Sequence, residues 1–120
     1  MRICIDLDGT ICEHRKPGET YADVLPKPGA QEFIKALHEE GHTIIIHTAR
    51  NMQTQGHNVG KVVRNVGKIT LEWLDLHNIV YDEIFFGKPN ADITIDDRCL
   101  RFKSWDDVNF SLLKDLARKE

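Results

Sequence analysis

Four short strings carry side chains suited to handling a phosphate beside a hard cation. In Asp6-Leu7-Asp8-Gly9-Thr10, two carboxylates stand two residues apart, ahead of a glycine that permits a tight turn. Like charges that close repel unless a cation lies between them, and donors that are all oxygen favour Mg2+ over a softer metal. Thr48-Ala49-Arg50 offers a hydroxyl to a phosphoryl oxygen and a planar fork matched to phosphate. Lys88, in Gly87-Lys88-Pro89, can neutralise charge on a phosphoryl group or on the aspartates. Asp96-Asp97-Arg98 repeats the electrostatic problem of the first pair, and one shared ion would solve it for both. Each string alone has an ordinary explanation: a solvated acidic turn, a strand threonine, a surface arginine or lysine.

Their placement makes them one pattern. Each follows a short apolar run: Ile3-Cys4-Ile5, Ile44-Ile45-Ile46, Ile84-Phe85-Phe86 and Ile93-Thr94-Ile95. Runs of that length, rich in β-branched or aromatic residues, suit strands covered on both faces of a parallel sheet. Between them lie helical stripes. Ala30, Phe33, Ile34 and Leu37 recur between Pro28 and Gly41. Val62, Val66, Ile69, Trp73 and Leu76 form a second stripe, which Gly60 and Gly67 could divide into two helices. Trp105, Val108, Leu112 and Leu116 form a third, with Ser104 and Asp107 spaced as a capping box. The alternation predicts an α/β fold, a Rossmann-like three-layer domain around a mainly parallel sheet with right-handed crossovers. In such folds ligands bind at the carboxyl ends of the strands, where all four strings fall.

The bulk properties fit one domain over residues 1–120. The chain is 41% hydrophobic and 29% charged, within the range of globular proteins. A net charge of −3, from 16 basic and 19 acidic residues, gives no broad basic field and disfavours nucleic acid as partner. No apolar run is long enough to span a membrane, and the start of the chain turns acidic too early for a secretory signal. Cys4, Cys12 and Cys99 are odd in number and lack metal or redox spacing, so a reduced, cytoplasmic protein is expected. The six histidines show no metal spacing; His47, at a strand end, reads as core or as support for the site. Trp73 and Trp105 read as core.

The Asp6-Leu7-Asp8-Gly9-Thr10 string, Thr48 after Ile44-Ile45-Ile46-His47, Lys88, and Asp96-Asp97 resemble, in order, the four motifs of the haloacid dehalogenase superfamily of phosphatases. The resemblance implies that Asp6 is the nucleophile and Asp8 the general acid/base, that Thr48 binds the phosphoryl group and that Lys88 steadies its charge. Mg2+ would be held by Asp6, the backbone carbonyl of Asp8, and Asp97 as the direct ligand of its pair, with Asp96 supporting. Thr-Ala-Arg and Asp-Asp-Arg are similar to the phosphatase half of polynucleotide kinase-phosphatases. Thr48-Ala49-Arg50-Asn51-Met52, Asn58-Val59-Gly60-Lys61 and Tyr81-Asp82-Glu83-Ile84 resemble small phosphatases of the superfamily associated with capsular polysaccharide biosynthesis.

On that resemblance the chain is a Mg2+-dependent phosphomonoester hydrolase that works through an aspartyl-phosphate, on a sugar phosphate or related glycan precursor. Only 39 residues separate Asp8 from Thr48, and members with a cap domain there need more chain. A capless, open site is expected, with residues 11–27 as a short flap and 51–61 as a mobile substrate loop. Arg50, Asn51 and Lys61 are the substrate-binding candidates, and a second copy of the chain could cover the site. Two alternatives are a nucleic-acid 3′-phosphatase and a non-enzymatic phosphoaspartate signalling module. The second is disfavoured because receivers place the acid pair first and the phosphorylated aspartate later.

Overall fold

A computed structural model describes residues 1–117. Three parallel strands, β1 (Arg2–Asp6), β2 (Thr43–Thr48) and β3 (Glu83–Phe86), form a sheet in the order β1-β2-β3. Helix α1 (Ala30–Glu39) connects the first two strands and α2 (Val59–Leu76) the second pair. The register aligns Ile3 with Ile44, Ile5 with Ile46, and Ile46 with Ile84, so one face of the sheet is a continuous apolar surface. Onto it pack Ile34 and Leu37 of α1 and Trp73 and Leu74 of α2. Ile34, Ile44, Ile46 and Leu74 are fully buried, each stabilising by roughly 1.5–3 kcal/mol. The Arg2–Glu83 pair across the sheet is exposed and screened by solvent, so the core and not the ion pair holds the strands.

The α/β class, the parallel sheet and the absence of a cap agree with the sequence reading. Three details differ. The second stripe forms one helix through both Gly60 and Gly67, because apolar spacing from Val62 to Leu74 gives it an unbroken buried face. The third stripe breaks: a 3₁₀ turn at Trp105–Asp107 is followed by extended Val108, and α3 (Phe110–Leu116) starts anew where the Asn109 side chain caps the Leu112 N–H. The Ser104 hydroxyl bonds the Asp107 carboxylate at 3.2 Å but caps no N–H there.

The largest correction concerns Ile93-Thr94-Ile95, which is no strand, with Ile93 71% and Ile95 95% exposed. The Asp96 carboxylate accepts the Arg98 N–H at 3.1 Å, a local turn that competes with a ladder. The sheet therefore ends at β1. On its second face Cys4 and Phe85 are exposed.

Candidate active site

The turn after β1 is built to present two carboxylates. Leu7 is fully buried, and its carbonyl accepts the N–H groups of Thr10, Ile11 and Cys12 at 3.2, 2.9 and 3.1 Å. That reversal needs Gly9 at φ 85°, where a Cβ would lie 2.5 Å from the His14 imidazole. Asp6 thus stands at the strand's end and Asp8 on the far side of the turn. Lys88 is delivered beside them because its N–H, like that of Gly87, bonds the Thr48 carbonyl at the end of β2.

The two aspartates have different partners. Asp6 lies 3.2 Å from the Lys88 ammonium, with the Thr10 hydroxyl donating at 3.4 Å, and its side chain is 34% exposed. Asp8 is gripped by the Arg50 fork, Nε donating to Oδ2 at 2.9 Å and Nη2 to Oδ1 at 3.0 Å. The Arg50 side chain is fully buried, its Nη1 donates to the Thr70 hydroxyl at 3.1 Å, and its guanidinium lies 4.1 Å from the centre of the Tyr21 ring. Burial, reinforced by the Asp8 charge, pushes the Cys12 thiol up to about 12, so it stays protonated beside Asp8. Burial and then the Lys88 charge pull His47 below its ordinary value, against the opposing pull of Asp6.

Asp6, Asp8, Arg50, Asn51 and Lys88 share an open cleft of about 440 Å³. His14, Arg15 and Tyr21 from the flap form one wall; Gln53 and Thr54 form another, and Asn90 continues from Lys88. Cys12 pairs with Pro26, and the Lys27 N–H bonds the Ile11 carbonyl at 2.8 Å, so the flap is pinned at its base.

Four other expected residues stand elsewhere. Thr48 is buried with its hydroxyl accepting the Arg50 N–H at 3.1 Å, below the cleft and not in its lining. Lys61 is exposed on the first turn of α2, away from the cleft. Asp96 and Asp97 are exposed outside it, and the Asp97 carboxylate lies 4.0 Å from Arg98. Among the described residues no three His, Cys, Asp or Glu side chains gather closely enough to hold a metal ion.

A family model described as haloacid dehalogenase-like hydrolase matches residues 3–70, more than half of the chain. The chain belongs to the haloacid dehalogenase-like hydrolases. A crystal structure of a Vibrio cholerae protein is similar to this hydrolase over 97% of this chain and 96% of its own, at 38% identity and a TM-score of 0.85. The fold is also similar to that of a D,D-heptose 1,7-bisphosphate phosphatase from B. bronchiseptica, complexed with magnesium and phosphate, at 18% identity and a TM-score of 0.51. That likeness covers 78% of this chain and 54% of the other, so the hydrolase spans about half of that neighbour's length. No curated protein matches.

The donor set of this hydrolase suits a hard cation only in part. Asp6 offers carboxylate oxygen to the cleft, whereas both oxygens of Asp8 are engaged by Arg50 and Asp97 lies outside. Sequence reasoning missed Tyr21, Thr70 and His14. Only Gly9 signals one of them, because a residue lacking a side chain invites a close neighbour.

Proposed function

We propose that this hydrolase is a phosphatase in which Asp6 is the nucleophile and Asp8 the general acid/base. The observation that carries the reading is the division of partners within one turn. Asp6 is open to the cleft with Lys88 at 3.2 Å, and Asp8 is held aside by Arg50. An Asp6 oxygen forms a bond to phosphorus while the ester P–O bond breaks, and the departing oxygen takes a proton from Asp8. Water then attacks the aspartyl-phosphate and gives a proton to Asp8; the Asp6–phosphorus bond breaks and inorganic phosphate leaves. Lys88 offsets the repulsion between the carboxylate and a phosphate dianion. Mg2+, held by Asp6 and the Asp8 carbonyl, would add further charge neutralisation. Asp97, which lies outside the cleft lining, would complete the set only on coming closer to Asp6.

A phosphorylated sugar or glycan precursor suits the cleft walls. Asn51, Gln53 and Asn90 present amides that both donate and accept, as hydroxyl-rich groups require. The nucleic-acid alternative is weakened, since the buried Arg50 fork is directed at Asp8 and Thr70.

The test is release of phosphate from p-nitrophenyl phosphate with and without Mg2+. Activity should require Mg2+ and should fall by at least ~10³-fold in Asp6→Asn, as loss of a covalent nucleophile demands. Wild-type turnover in Asp6→Asn would remove the mechanism.

A further inference from the structure

The geometry points to Arg50 as a positioning residue that acts through Asp8, and to Thr70 and Tyr21 as the groups that fix Arg50. This deepens the phosphatase reading and rests on it. A fully buried guanidinium has few ways to satisfy its donors, and here Nε and Nη2 close a fork on Asp8 while Nη1 bonds Thr70 on the far side. The ring of Tyr21 covers its face at 4.1 Å, and the Thr48 hydroxyl holds its backbone N–H. Backbone, both ends of the fork and one face are therefore all constrained. Thr70 is itself fully buried in α2, so the position of Asp8 is referred to a long helix and not only to its own loop.

The chemistry gives this arrangement a purpose. An acid that must protonate the leaving oxygen in one step and deprotonate water in the next has to stay at one place relative to phosphorus throughout. A flexible aspartate on a glycine turn would not. A bidentate fork fixes both the position and the plane of the carboxylate, which a lysine could not do. Four of the five N–H donors of Arg50 are engaged, on Asp8, Cys12 and Thr70, and its side chain is fully buried, so the geometry favours holding Asp8 over binding the substrate's phosphoryl group.

The experiment compares p-nitrophenyl phosphate, whose leaving group departs without a proton, with glycerol 2-phosphate, whose alkoxide needs one. Wild type, Arg50→Lys and Thr70→Val are assayed for kcat, KM and competitive inhibition by inorganic phosphate. In Arg50→Lys, kcat/KM on glycerol 2-phosphate, which reports only the steps up to departure of the alcohol, should fall roughly 10- to 100-fold more than on p-nitrophenyl phosphate, within the range a positioned general acid supplies. The phosphate inhibition constant should stay within about twofold, since no phosphate contact is removed. Thr70→Val takes away one hydroxyl at nearly constant volume, and it should shift the same ratio in the same direction by less. It decides the matter if Arg50→Lys fails to fold. An equal loss of kcat/KM on both substrates would overturn the positioning role, as would a weakened phosphate inhibition with an unchanged ratio. If wild type releases phosphate from neither substrate, the phosphatase reading itself has failed and takes this inference with it.

Discussion

Asp6 and Asp8 are chemically identical and two residues apart, yet they meet different cations. A lysine reaches Asp6 from the loop after β3, as a compact charge at the edge of solvent; an arginine reaches Asp8 from inside, as a rigid fork. Cys12 shares the inner environment, with its sulfur 3.5 Å from Asp8 and 3.6 Å from Arg50 Nη2. Its raised titration has a direct readout. In the folded protein a thiol reagent at neutral pH should modify Cys4 and Cys99, which are exposed, and leave Cys12 untouched until denaturant is added. Cys99 should react ahead of Cys4, whose thiol burial also pushes up. Modification of all three at equal rates would show that the inner cluster opens readily.

Helix α2 is the element that ties the site to the body of the molecule, since Thr70 anchors Arg50 on one side and Trp73 bonds the Val24 carbonyl beneath the flap on another. Gly67 lies mid-helix, where glycine costs about 1 kcal/mol relative to alanine. A Cβ there would meet Val63 Cγ1 at 3.3 Å, and Val63 is 44% exposed and free to give way. Gly67→Ala should therefore stabilise by roughly 0.5–1 kcal/mol, read as a rise in Tm; a fall would show that Val63 cannot yield. The elements were legible wherever the pattern was local. Ile44-Ile45-Ile46 and the stripe from Val62 to Trp73 declare a strand and a helix from their own residues. Asp6, Asp8 and Lys88 were legible for a similar reason, each lying at a strand's end. Arg50 was found, but its partner was not. Nineteen residues lie between Arg50 and Thr70, and only the packing of α2 brings them within 3.1 Å. Ile93-Thr94-Ile95 misled because strand propensity says nothing about whether a neighbouring edge will accept the strand.

For the whole molecule, several groups titrate in one direction. The Ile44 N–H and then His38 hold Asp82 below the carboxylate range, Arg2 does so for Glu83, and the Arg98 N–H for Asp96. A carboxylate depressed in the folded state stabilises above its unfolded value, and that contribution is lost as pH falls. His47 is depressed as well, so the folded state resists its protonation and loses stability below about pH 6.5. The urea midpoint should thus decline from about pH 7 downward, with His47 acting first and the carboxylates below about pH 4. A midpoint that rises on acidification would contradict these assignments. Among the described residues no helix is long and apolar enough to cross a membrane.

The cleft has walls but no roof, because the 39 residues between Asp8 and Thr48 are used by a pinned flap and α1. On the mechanism proposed, an acyl phosphate formed at Asp6 would face bulk solvent for its entire lifetime. Water would then win by abundance and not by selection, so a concentrated alcohol such as glycerol would intercept part of the phosphoryl flux as a new ester.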